Sequence, residues 1–160
     1  MQVRFRMTIF LSLFPGTAAM AGSADQVSVV APYVRLAPPG AKATGAFMTL
    51  KNAGDKGVSI VKVESPAAKV TELHNHINDQ GVMRMRQVKE IAVPARGETL
   101  LKPGSYHVML IDMKSALKEG ELVSITLGFS DGSTKVVEAP VKSPMGDMPA
   151  GGMHHGDMKH

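Results

Sequence analysis

Val70-Thr71-Glu72-Leu73-His74-Asn75-His76-Ile77-Asn78-Asp79-Gln80-Gly81-Val82-Met83-Arg84-Met85-Arg86-Gln87-Val88 reads as a strand, a turn and a second strand. Val70–His76 and Val82–Val88 are extended runs, and Asn78-Asp79-Gln80-Gly81 supplies the residues a tight hairpin needs. Residues two apart on a strand point to the same side. His74 and His76 therefore share a face, as do Met83 and Met85, and the hairpin sets imidazoles beside thioethers.

The same grammar extends in both directions. Gln26–Arg35 is rich in valine and ends before Pro38-Pro39-Gly40, and Thr44–Asn52 runs into the turn cluster of residues 52–57. Val58–Val63, Ile91–Val93, Glu98–Leu101, Tyr106–Ile111, Leu122–Phe129 and Thr134–Glu138 are further strands, the last two joined at Asp131-Gly132. Only Lys114–Gly120 offers a helical turn. Many short strands with Gly and Pro between them predict an all-β sandwich or barrel, with Phe47, Tyr106 and Phe129 as core aromatics.

The flanks differ from this body. Residues 1–21 carry Arg4 and Arg6, then the apolar run Met7–Phe14, then Pro15-Gly16 and Ala19-Met20-Ala21, the order of an export signal with its cleavage site. That apolar run is far shorter than the roughly 20 residues a membrane span needs, so no membrane anchor is predicted. The folded domain is expected over residues 22–142. Residues 143–160 lose all apolar periodicity and are expected to form a disordered tail rich in Met and His.

Composition narrows the function. The 160 residues include 12 methionines and 6 histidines but no cysteine and no tryptophan. Disulfides, thiolate zinc sites, Cys-x-x-Cys redox chemistry and a cysteine-ligated blue-copper centre are all excluded. The net charge of +4 falls to about +2 once Arg4 and Arg6 leave with the signal, and no basic run interleaved with aromatics suggests nucleic acid. Asp79, Asp112 and Glu119 read as solvated turn and loop residues, so an enzyme is not expected. Met48 and Met113 read as core packing.

The histidines fall in two clusters: His74, His76 and His107 in the domain, and His154, His155 and His160 in the tail. His107-Val108-Met109 repeats the two-residue spacing of the hairpin pairs and is placed to close a site with them. Soft thioethers with borderline imidazoles select Cu(I), whereas hard cations want oxygen. In the tail, Met145, Met148, Met153 and Met158 offer donors for Cu(I), and the three histidines offer donors for Cu(II).

His74, ten residues, Met85, twenty-one residues, His107, one residue, Met109 resembles the copper motif of the PCuAC family of periplasmic copper chaperones. Glu72-Leu73-His74, Gly81–Arg86, Leu101–Leu110 and Leu117-Lys118-Glu119-Gly120 are similar as well, so the resemblance covers roughly residues 26–142. It implies a cupredoxin-like β-barrel that lacks the cupredoxin cysteine. It also implies Cu(I) held by His74, Met85, His107 and Met109. Finally, it implies a periplasmic role in delivering copper to the CuA centre of cytochrome c oxidase subunit II alongside Sco-type proteins. Many members have methionine where this chain has His76, which is therefore, with Met83, an accessory candidate. A protein that only sequesters periplasmic copper is the alternative.

Overall fold

Ten strands and one helical turn make up the regular structure of the computed structural model, which describes residues 22–144. The export signal and the tail candidates Met145, Met148, Met153, His154, His155, Met158 and His160 lie outside the described residues. The elements are α1 (Ser23–Gln26), β1 (Val27–Arg35), β2 (Ala43–Asn52), β3 (Val58–Glu64), β4 (Ala68–Asp79) and β5 (Val82–Gln87). They continue with β6 (Ile91–Val93), β7 (Glu98–Leu101), β8 (His107–Met113), β9 (Leu122–Phe129) and β10 (Thr134–Lys142).

The strands follow the order β5-β4-β8-β2-β1-β10-β9-β3-β6, with β7 pairing the far half of β2. Neighbours are antiparallel except β1 and β10, whose parallel pairing of Val34 with Val141 joins the two halves. The halves fold face to face. Val34, Ala46, Leu50, Leu73, Val108 and Leu110 of one meet Ile60, Ile91, Ile125, Leu127, Phe129 and Val141 of the other in one apolar core. This is the all-β, cupredoxin-like architecture expected from the sequence. Alternation produces it directly: Thr44, Ala46, Met48, Leu50 and Asn52 all point inward from β2. Met48 packs in the core and Met113 against it.

Two local features depart from the sequence pattern. Lys114–Gly120 is not helical. The Gly120 amide donates to the Val141 carbonyl at 2.9 Å, so β10 takes a backbone donor that a helical turn would use. Seven residues also cannot offset the cost of helix nucleation by themselves. A helical turn forms instead at Ser23–Gln26, where Asp131 accepts the Ser23 amide at 2.7 Å and Ser133 Oγ accepts the Ala24 amide at 3.0 Å. Hydrogen bonds from Ser133 and Ser23 hold the Asp131 carboxyl well below the usual range.

The second departure sits in β1. The register with β2 slips between Val30 and Tyr33, at Ala31 (φ 48°) and Pro32. A bulge inserts one residue and reverses which side chains face inward. Before it Val27 faces the core; after it Val34 does, and Tyr33 pairs with Phe47 on the outer face.

Candidate metal centre

The sheet formed by β5, β4, β8 and β2 has two unlike faces. Leu73, Val108, Leu110 and Ala46 cover the core face. The other face carries the chemistry. Directly opposed residues on antiparallel strands share a face, and the register sets His74 opposite His107, His76 opposite Met85, and Met109 between Glu72 and Gly45. The hairpin that presents His76 and Met85 is closed by Gln80 (φ 52°) and Gly81 (φ 85°), with Asn78 Oδ1 accepting the Gly81 amide at 2.8 Å.

The three domain histidines converge on His107. Its ring centroid lies 5.7 Å from that of His74 and 5.3 Å from that of His76. A pocket of about 380 Å³ opens beside it, lined by His76, Met85, His107 and Met109 together with Gly45, Phe47 and Arg35. His74 stands behind this lining, against Glu72. Met83 is opposite Asn78 and 54% exposed, farther out on the hairpin than Met85.

Hydrogen bonds set which nitrogen of each ring is available. The Nδ1–H of His107 donates to the Ser105 carbonyl at 3.0 Å, leaving Nε2 with the free lone pair. Burial pushes the His107 pKa below its ordinary 6.5, only partly opposed by the Ser105 bond, and His74 and His76 nearby push the same way. The ring is therefore a neutral donor at neutral pH. The Nε2–H of His74 donates to Glu72 Oε2 at 2.7 Å, leaving Nδ1 as its lone-pair nitrogen. Carboxylates hold ligating histidines in this way.

Nδ1 of His74 and Nδ1 of His76 are the two buried side-chain nitrogen or oxygen atoms without a hydrogen-bond partner among the described residues. Leaving a buried polar atom unsatisfied costs about 1–3 kcal/mol. The donors define which ion fits. Among the described residues no three His, Asp or Glu side chains come together as a group that could hold a metal ion, so an ion bound here would depend on the thioethers as well. Two thioethers with imidazole nitrogens suit a soft monovalent ion.

Phe47 was expected in the core with Tyr106 and Phe129. Phe129 is there and Tyr106 packs against the core, but Phe47, although only 5% exposed, lies on the face that carries the histidines. Its ring is 6.0 Å from His107, 5.3 Å from Tyr33 and 5.3 Å from the Arg35 guanidinium. Gly45 makes this arrangement possible: a Cβ there would sit 2.9 Å from Phe47 Cζ. Gly45, Phe47, Arg35 and the bond from Glu72 to His74 were not assigned to the site from sequence. The Gly45-x-Phe47 spacing was a usable signal, because residues two apart share a face, but the β1 bulge that places Arg35 and Tyr33 there was not visible.

Comparison with known proteins identifies the family and the fold. The family model described as "Putative lipoprotein LpqE-like" matches residues 27–141. The chain belongs to the LpqE-like family. It is 38% identical over 130 residues to "Putative lipoprotein Lxx21020" of Leifsonia xyli subsp. xyli, covering 80% of this chain and 77% of that one. Among solved structures, Cu(I)-bound DR1885 of Deinococcus radiodurans is 36% identical, with a TM-score of 0.61 over 73% of this chain and 80% of that one. The copper-bound PCuAC domain of PmoF2 has the same fold at 20% identity, with a TM-score of 0.63 over 74% of this chain and 94% of that domain. Both of these structural neighbours of the LpqE-like chain hold copper.

Proposed function

We propose that this LpqE-like protein is a periplasmic Cu(I) carrier. Its ligands would be Met85 and Met109, His107, and an imidazole of β4, which is His74 by the motif spacing. The observation that carries the reading is the convergence of both thioethers with His107 and His76 on one pocket, next to two buried imidazole nitrogens that lack partners. The copper-bound state of its structural neighbours supports it.

The chemistry suits transfer. Neutral thioether and imidazole donors leave the bound ion cationic and more labile than thiolates would. Met85 is 42% exposed on a hairpin at the sheet edge, so an incoming donor from a partner can replace it first. Export is supported by residues 1–21 and by the lipoprotein description of the family. The 160 residues contain no cysteine, so none of them can carry lipid through a thiol.

The acceptor we propose is cytochrome c oxidase subunit II at its CuA centre, with Sco-type proteins acting alongside. The test is to mix the Cu(I)-loaded chain with an apo subunit II fragment and follow the metal. Transfer is expected. A chain that keeps its copper would instead be a sequestering protein.

A further inference from the structure

Half of β4 has an uncovered edge. β5 pairs with β4 only from His74 to Asp79, and one further bond, from the Val88 amide to the Leu73 carbonyl at 2.9 Å, ends the ladder on that side. The chain then leaves through Lys89 and Glu90 for β6. From Ala68 to Leu73, β4 is paired with β8 alone among the described residues. The β8 register shows no slip over this stretch, so the backbone groups of β4 alternate in direction along it. The Leu73 carbonyl points away from β8, and the N–H and C=O of Thr71 and Lys69 point the same way. No strand takes them among the described residues.

β3 is left bare in a similar manner. β6 pairs with it only from Val58 to Ile60, so nothing covers Val61 to Glu64 on that side among the described residues. Between the two uncovered edges opens a cleft of about 820 Å³, larger than the pocket of about 380 Å³ beside His107. Its charge is one-sided. The carboxylate of Glu64 is engaged by Lys62 at 2.9 Å and that of Glu72 by His74 at 2.7 Å. Lys69 and Lys89, which also line the cleft and are exposed, have no ionic partner among the described residues.

We propose that the free edge of β4 is a docking site for an extended, acidic segment of a partner protein, which adds as a strand in the line that β5 vacates. An open edge is a template for one more strand. In this mode main-chain bonds supply affinity and alternate side chains supply specificity. Lys69, Thr71 and Leu73 share one side of β4, so guest side chains on that side meet Lys69, and carboxylates are the ones its charge and that of Lys89 attract. The guest strand would lie end to end with β5, whose Gln87 is opposite His74. The proposal does not rest on the copper reading, because neither lysine nor the bare backbone is among the copper ligands.

The experiment uses the metal-free full chain and a capped peptide of alternating glutamate and valine, followed by nuclear magnetic resonance. Saturable shifts and slowed hydrogen exchange are expected at the Lys69 and Thr71 amides. A lysine-valine peptide should not bind, and neither should the glutamate-valine peptide with its backbone N-methylated on the pairing side. Lys69→Glu with Lys89→Glu should weaken binding roughly three- to thirty-fold. Both side chains are exposed, and circular dichroism checks that the double variant folds. Four results would each overturn the proposal. They are no saturable binding, shifts on β5 instead of at Lys69 and Thr71, equal binding of the N-methylated peptide (charge attraction alone), and unchanged affinity in the folded double variant.

Discussion

Replacing Glu72 tests whether the metal face works as built. Glu72 lies on the same face as His74, and its carboxylate receives the His74 Nε2–H at 2.7 Å with the two side chains 26% and 13% exposed. A hydrogen bond to a charged group contributes about 1.5–3 kcal/mol, and partial exposure reduces this to about 1–2 kcal/mol here. Glu72→Ala releases the ring, which then divides between tautomers and orientations and presents Nδ1 only part of the time. At about 1.4 kcal/mol per factor of ten, Cu(I) affinity should fall roughly five- to thirty-fold. Competition against a chromogenic Cu(I) chelator without oxygen reads this directly. Glu72→Gln keeps a neutral acceptor and should fall between the two. Glu64→Gln, which removes an exposed carboxylate paired with Lys62 on β3, should change nothing. If Glu72→Ala binds Cu(I) like the unsubstituted chain, His74 does not bind copper through Nδ1, and His76 is left as the β4 donor.

Other outcomes follow from the same geometry. Leu110→Ala removes a fully buried side chain from the core face of β8. It should cost about 2–5 kcal/mol in denaturant unfolding while leaving one Cu(I) per chain, because the ligands face the other way. A loss of stoichiometry in the folded variant would show that the two faces are coupled. Gly45→Ala places a Cβ 2.9 Å from Phe47 Cζ. The displaced ring should cost about 1–3 kcal/mol of stability and weaken Cu(I) binding, and an unchanged unfolding midpoint would contradict the packing described. His107 also makes stability depend on pH. Its folded pKa lies below 6.5, so the unfolded chain binds more protons just below that pH. The stability is fully present above 6.5 and is lost as pH falls from there through the lowered folded value. The urea midpoint of the metal-free chain should drop as pH falls below 6.5. That drop should shrink in His107→Gln, and an equal drop in both would contradict the assignment.

The sequence was most informative where local chemistry and tertiary structure agree. The Val70–Val88 hairpin formed as read because its alternation and its Gln80-Gly81 turn favour the same register. The two-residue spacing in His74-x-His76 and His107-x-Met109 carried through to one face because side chains alternate on a strand. Features set by distant contacts were not legible. The Lys114–Gly120 segment has helix-favouring residues, yet its Gly120 amide donates to Val141. The metal face of Phe47 depends on Gly45 beneath its ring and on a β1 bulge that no alternation pattern announces. Likewise His76, an accessory candidate by the family resemblance, lines the pocket because the hairpin register sets it opposite Met85.

We propose that thioether and imidazole donors from β4, β5 and β8 bind one Cu(I) together. X-ray absorption of the Cu(I)-loaded chain measures this most directly. Sulfur and nitrogen are both expected to be bonded to copper, with the sulfur signal lost in a Met85→Leu, Met109→Leu double variant that still folds. Copper bonded to nitrogen alone, or a sulfur signal that survives both substitutions, would contradict it.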